Sequence, residues 1–235
     1  MKNLVIIPTY NEKENIERMI HKVFSLEGDF HLLIVDDGSP DGTGQIVKDL
    51  QEKYAGKLHI EERSGKLGLG TAYLHGFNWG LSKGYTYLFE MDADFSHNPD
   101  DLLRLLAACE GGADLAVGSR YVKGGKVANW DRKRLLLSFF ASFYVRMILW
   151  IGIRDTTAGF KCYHRNVLEA IDFDKVTFKG YAFQICMKYA AIKKKFKVVE
   201  VPITFIDREF GTSKMSSSIF KEALLGVWKM RFTKF

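Results

Sequence analysis

Two periods of hydrophobic and polar positions alternate along the first half of the chain. Short runs rich in β-branched and aromatic residues, Leu4–Pro8, His31–Val35, Lys57–Glu61, Tyr85–Met91 and Ala113–Val117, read as strands. Between them the spacing becomes helical. Residues 13–26 set Ile16, Met19, Ile20, Val23 and Phe24 on one face, and 43–54, the stretch ending near Lys83 and Pro99–Ala108 also read as helices. Strands alternating with helices predict βαβ units and a mostly parallel α/β sheet. The second half is different. Residues 135–153 are almost continuously apolar, yet Arg134, Ser138, Ser142 and Arg146 recur every four residues on one drifting helix face. The length approaches a membrane span, but an arginine in mid-helix argues for an interfacial or core helix. A turn from Asp155 leads into another strand, a helix begins near Phe178, and Lys197–Pro202 is a last strand. In the tail, Ile219, Phe220, Ala223, Leu224, Val227 and Trp228 oppose Lys221, Lys229, Arg231 and Lys234, a basic amphipathic pattern of the kind found on membrane surfaces.

Composition adds boundaries. With 235 residues, 47% hydrophobic and 26% charged, the chain is long enough for one sizeable core. Four prolines and no Ser/Gly-rich tract leave no linker, so the reading is a domain over residues 1–216 with an appended segment at 217–235. The apolar run at the start is too short for a signal peptide. Cys109, Cys162 and Cys186 are far apart in no metal or redox spacing, which predicts buried, reduced thiols. The formal charge of +6 is concentrated late: residues 188–235 carry eleven Lys or Arg against four Asp or Glu. That balance fits nucleic acid, an anionic membrane or an anionic substrate, and the absence of a stacking-aromatic motif argues against nucleic acid.

The unusual polar residues follow the predicted strands: Tyr10 and Glu12, Asp36 and Asp37, the glycines near 65–70, Asp92 and Asp94, and Arg120. A parallel sheet gathers such positions on one edge, where open α/β folds bind ligands. Asp92 and Asp94, one residue apart, repel unless a cation holds them, and oxygen ligands suit Mg²⁺ or Mn²⁺. The acidic run from Asp37 is no EF-hand, since its twelfth position is Lys48. Gly65–Ala72 lacks the ending of a P-loop and the third glycine of a dinucleotide fingerprint, and reads as a cationic turn able to approach an anion. Arg208 and Lys214 bracket a Gly-bearing loop suited to closing over phosphates.

Assembled, Ile7-Pro-Thr-Tyr-Asn-Glu, Val35-Asp-Asp-Gly-Ser-Pro-Asp-Gly-Thr, Lys66-Leu-Gly-Leu-Gly-Thr-Ala-Tyr, Met91-Asp-Ala-Asp-Phe-Ser-His-Asn-Pro, Gly118-Ser-Arg-Tyr and the loop with Asp207, Arg208, Ser213 and Lys214 resemble family 2 glycosyltransferases. The Lys66–Tyr73 and Ser-His-Asn-Pro stretches point to the branch that moves mannose to dolichyl or polyprenyl phosphate. The resemblance covers essentially the whole chain. It implies a Rossmann-like, nucleotide-sugar-binding GT-A fold, GDP-mannose as donor and inversion at the sugar. Pro8, Tyr10, Glu12, Val35 and Asp37 would line the guanosine pocket, while Asp92, Ala93 and Asp94 would meet ribose and diphosphate. Asp92, Asp94 and Ser96 would surround Mg²⁺ or Mn²⁺; Ser96 stands where many relatives carry Gln. Arg208 and Lys214 would clamp the diphosphate. Arg120, with Arg134 and Ser138, would meet the acceptor phosphate, and Asp94, Arg120 and Arg208 would carry the chemistry. The lipid acceptor implies a peripheral, monotopic protein on the cytoplasmic face of a membrane, held by its own amphipathic helices or by a small membrane partner. The alternatives are a family 2 enzyme using a UDP-sugar such as UDP-glucose, a nucleic-acid-binding protein, and a non-catalytic sugar-nucleotide-binding subunit.

Overall fold

Five strands, β1 (Asn3–Thr9), β2 (Phe30–Asp36), β3 (Leu58–Glu62), β4 (Tyr87–Glu90) and β5 (Leu115–Ser119), form where the apolar runs predict them. Helices α1 (Ile16–Phe24), α2 (Thr43–Gln51), α3 (Leu69–Ser82) and α4 (Asp101–Glu110) link them in turn. The computed structural model describes residues 2–178, 180–207, 217–233 and 235, with the side chains of Tyr181 and of residues 217–224 outside the description. After β5 come β6 (Lys126–Ala128), α5 (Arg132–Leu149), β7 (Lys161–His164), α6 (Arg165–Ala170), α7 (Tyr181–Lys193), β8 (Val198–Pro202), β9 (Thr204–Ile206) and α8 (Ser217–Phe232).

Seven strands make the main sheet in the order β3-β2-β1-β4-β7-β5-β8. All pair in parallel except β7, which runs antiparallel between β4 and β5. The chain leaves β1 toward β2 and β3, then returns to place β4 on the other side of β1. This puts a topological switch point between β1 and β4, the place where such sheets open a crevice at their carboxyl edge. The α3 helix lies close against the sheet there: a Cβ at Gly76 would come within 2.6 Å of Ile6, and one at Gly80 within 2.7 Å of Leu4. Two apolar layers cover the sheet. One gathers Ile7, Ile20, Phe89 and Leu105; the other gathers Leu4, Phe77, Tyr163, Phe183 and, from α8, Val227 and Met230.

The sequence reading misses three short elements, α6 and the strands β6 and β9. The basic stretch 123–134 contains β6, which pairs in parallel with β9 as a separate two-stranded sheet, Val127 opposite Phe205. Strands of three residues are too short to show a period. The three cysteines are buried and unpaired, as their spacing predicts.

Candidate active site

Backbone register brings the expected nucleotide-pocket residues together. Pro8 on β1 lies opposite Val35 on β2, and the Asp37 N–H donates to the Thr9 carbonyl at 2.9 Å. Asp36, with 2% exposure, is a structural anchor: it accepts from the Thr9 hydroxyl at 2.8 Å and from the Ser39 hydroxyl at 2.6 Å. Asp37 is taken by Arg63, whose Nε donates to Oδ1 at 2.6 Å while its Nη1 donates to the Thr71 hydroxyl at 2.9 Å. This pair ties the ends of β2 and β3 to the start of α3. Lys66 lies over the Tyr10 ring at 5.3 Å, and the Glu12 carboxylate accepts from Asn15 at 2.9 Å. Gly70, expected in a turn open to an anion, instead lies against Phe183 and the Phe178 carbonyl, so its missing side chain serves packing.

The acidic loop leaves β4 at the switch point. Asp94 is buried and accepts from the Ser96 N–H at 3.1 Å, whereas the Asp92 side chain keeps 39% exposure. Ala93 and Ser96 are buried between and beside them. Phe95 holds a positive φ of 58°, a backbone cost of the kind concentrated at functional sites, and the Arg18 guanidinium sits 5.1 Å from its ring. His97, given no role by the sequence reading, organises this loop. Its ring stacks on Phe160 at 4.9 Å, and its Nδ1 accepts the Asp92 N–H at 3.3 Å, which leaves the proton on Nε2. Burial pushes the imidazole down to about 4, so it is neutral at pH 7 and its 3.9 Å approach to the Asp92 carboxylate is not an ion pair.

Below the loop lies a buried polar layer. Glu90 accepts from Lys161 at 3.0 Å and from the Tyr163 hydroxyl at 2.8 Å; Lys161 also donates to Gln184. Lys188 donates to the Ala158 carbonyl at 2.7 Å, and burial, with the charge of Lys161, holds its ammonium well below the usual lysine range. Part of the late basic charge is therefore interior.

Arg120 sits at the end of β5. Its Nε and Nη2 donate to the two oxygens of Asp155, each at 2.7 Å, and Nη2 also reaches the Thr157 hydroxyl at 2.8 Å. Burial raises the Asp155 carboxyl, but the charge and hydrogen bonds of Arg120 outweigh it and hold the group below the ordinary range. The guanidinium is also ringed by Tyr121, Trp130 and Phe205 at 5.1–5.5 Å. Arg134, in the first turn of α5, stacks on the same Trp130 at 4.1 Å and donates to Asp207 at 2.7 Å. Ser138, one turn on, accepts from the Tyr121 hydroxyl at 2.8 Å. Phe205 on β9 also meets the His97 ring at 5.5 Å, and the next residue, Ile206, donates its N–H to the Ser96 carbonyl. The β6–β9 ribbon thus ties the acidic loop to the basic cluster. Arg208 and Lys214 lie outside the described residues. Asp155 and Trp130 were missed as site residues: the first read as a turn, the second as part of a loop, and neither carries a recognisable spacing.

A mostly parallel α/β sheet with paired carboxylates at its switch point has the architecture expected of a glycosyltransferase, and the comparisons agree. Residues 4–172 match the family described as glycosyl transferase family 2, and the chain belongs to that family. It is 53% identical over 232 residues to a polyprenol monophosphomannose synthase of Mycolicibacterium smegmatis, covering 98% of this chain and 88% of that protein. It is 45% identical over 227 residues to an undecaprenyl-phosphate mannosyltransferase of Micrococcus luteus, covering 97% and 93% respectively. Among solved structures, glucosyl-3-phosphoglycerate synthase from Mycobacterium tuberculosis, in complex with Mn²⁺, UDP and phosphoglyceric acid, superposes with a TM-score of 0.73 at 14% identity, covering 100% of this chain and 80% of that one. That likeness concerns the fold, and the GT-A expectation holds.

Proposed function

We propose that this glycosyltransferase moves mannose from GDP-mannose to a polyprenyl phosphate at a membrane surface, with inversion at the sugar carbon. The observation that carries the reading is the 53% identity to a polyprenol monophosphomannose synthase over 98% of this chain. The GDP moiety is assigned to the β1 and β2 edge between Pro8, Tyr10, Glu12, Val35 and Asp37. The acceptor phosphate is assigned to the Arg120, Arg134 and Ser138 cluster.

The donor set fits a divalent cation. Asp92 and Asp94 supply oxygen ligands at the mouth of the crevice, and Ser96 follows them. Among the described residues no group of three or more His, Cys, Asp or Glu side chains could hold a metal ion by itself, so Mg²⁺ or Mn²⁺ would take further ligands from substrate oxygens. When bound, the ion offsets charge developing on the departing diphosphate. The chain's own residues do the rest. An acceptor phosphate is already an anion and needs no strong general base, so positioning and electrostatics dominate. Arg120, aligned by Asp155, offsets repulsion between the two phosphates. Arg134 can exchange Asp207 for phosphate. Arg208 and Lys214 are assigned to the donor diphosphate.

Membrane placement is supported by exposed apolar surface. On α5, Leu137, Phe140, Met147 and Trp150 are all more than half exposed, and on α8 so are Leu225 and Phe232. No helix among the described residues is long and apolar enough to cross a bilayer. The interfacial seat, on the cytoplasmic face, is part of the proposal.

The test is transfer of radiolabel from GDP-mannose to polyprenyl phosphate in detergent, with Mg²⁺, Mn²⁺ or EDTA, and UDP-glucose as the competing donor. Metal-dependent formation of an organic-extractable mannolipid is expected. Transfer from UDP-glucose in preference to GDP-mannose would overturn the donor assignment, and transfer undiminished in EDTA the metal.

A further inference from the structure

Helix α5 turns its polar stripe inward and its apolar side out, and the stripe does not end at the acceptor cluster. One and two turns beyond Ser138 lie Ser142 and Arg146. They line a cavity of about 230 Å³ with Tyr121, Phe139, Phe143 and Arg154. Ser142 is 2% exposed, and its hydroxyl has no hydrogen-bond partner; the Arg146 Nε is likewise buried and unpartnered. Neither Arg146 nor Arg154 forms an ion pair among the described residues. The carboxylates nearest in the chain are already engaged. Asp155 is held by Arg120, and Glu200 accepts from the Ser119 hydroxyl and from the N–H groups of Arg154 and Asp155. Two guanidinium-bearing residues and an orphan hydroxyl therefore share a cavity with no acidic residue in its lining. The Ser142 hydroxyl and the Arg146 Nε are buried donors without partners, a costly state that an anion satisfies, while Arg154 is exposed beside them.

The lining also specifies the kind of anion. Phe139 and Phe143 belong both to this cavity and to the exposed apolar face of α5. A free phosphate would pair the arginines and leave those rings in water, whereas a phosphate carried on acyl chains serves both. We propose that this cavity binds the phosphate of an anionic membrane phospholipid, at a position separate from the acceptor phosphate. The proposal rests on the membrane-surface reading but not on the identity of donor or acceptor.

The experiment is flotation of the full chain with vesicles of phosphatidylcholine alone or with phosphatidylglycerol added. Two basic residues at a lipid surface correspond to roughly tenfold or more in affinity. The wild type should favour the phosphatidylglycerol vesicles by about that factor. R146Q/R154Q should lose the preference and R146K/R154K should keep most of it. K53Q/K83Q, which removes two distant charges, should keep all of it, and the acceptor KM of R146Q/R154Q in detergent should be unchanged. A preference kept by R146Q/R154Q, or lost equally in K53Q/K83Q, overturns the site. A raised acceptor KM would assign the cavity to the acceptor instead, and displacement from the vesicles by millimolar inorganic phosphate would assign it to a free anion. Wild-type protein that binds both vesicles alike overturns this proposal alone; protein that binds neither overturns the membrane reading as well.

Discussion

Asp155 shows how one side chain can set the behaviour of another, here Arg120, to which the proposed chemistry is assigned. Its carboxylate is wholly buried and takes two hydrogen bonds from the Arg120 guanidinium and a third from the Arg120 backbone N–H. Asp155→Asn would leave the guanidinium buried and uncompensated, a change that costs about 3–5 kcal/mol. Urea unfolding should show that loss, and Arg120→Gln combined with Asp155→Asn should cost less than the sum of the single changes. His97 makes a second prediction, with a definite sign. Its folded imidazole titrates at about 4 against the ordinary 6.5, so below pH 6.5 the unfolded chain binds a proton that the folded chain refuses. Stability is full above pH 6.5 and falls by about 3 kcal/mol as the pH drops toward 4. Denaturant titrations in metal-free buffer should show that slope, and His97→Gln should flatten it.

At the level of elements, α5 is the instructive case. Asp131 caps it by accepting the Arg134 N–H at 2.9 Å, and Trp150 ends it in the left-handed region at φ 56°. Between them the inward face is Ser142, Val145 and Leu149, while larger apolar residues face out. Leu149→Ala should therefore cost about 2–5 kcal/mol. Phe140→Ser with Met147→Ser should leave the melting temperature nearly unchanged and weaken vesicle binding. A thermal melt and a flotation assay on both variants separate the two faces. Helix α8 qualifies the expectation of an appended tail. Val227 and Met230 are completely buried in the core shared with α7, while Trp228 and Phe232 are exposed. Deleting residues 217–235 would remove core as well as surface, so Trp228→Ser with Phe232→Ser is the cleaner test of membrane attachment.

For the whole molecule, the proposed function makes the switch point between β1 and β4 the place where nucleotide and metal would meet. A ligand that binds only the folded chain stabilises it by about 2.7 kcal/mol at a hundredfold excess over Kd. GDP with Mn²⁺ should raise the melting temperature in a concentration-dependent way, with GDP and EDTA giving much less. Asp94→Ala should remove the metal-dependent part of the shift while leaving the unliganded melt close to the wild type. An equal response to UDP would weaken the GDP assignment.

Local chemistry determined much of this protein. Alternating periods specify the strands and helices of the first 119 residues, because burial in a parallel sheet requires solid apolar runs. The acidic pair after β4 and the polar ends of β1 and β2 were likewise legible, since a parallel sheet places every such position on one edge. Tertiary structure alone decided what depends on distant partners. The fork of Asp155 on Arg120 spans 35 residues, and the β6–β9 ribbon spans most of the second half with strands too short to show a period. The polar stripe of α5 was visible from its spacing, but spacing is indifferent to which side meets water. Packing against the body turned that stripe inward, and so left an apolar face outside and a basic cavity beneath it.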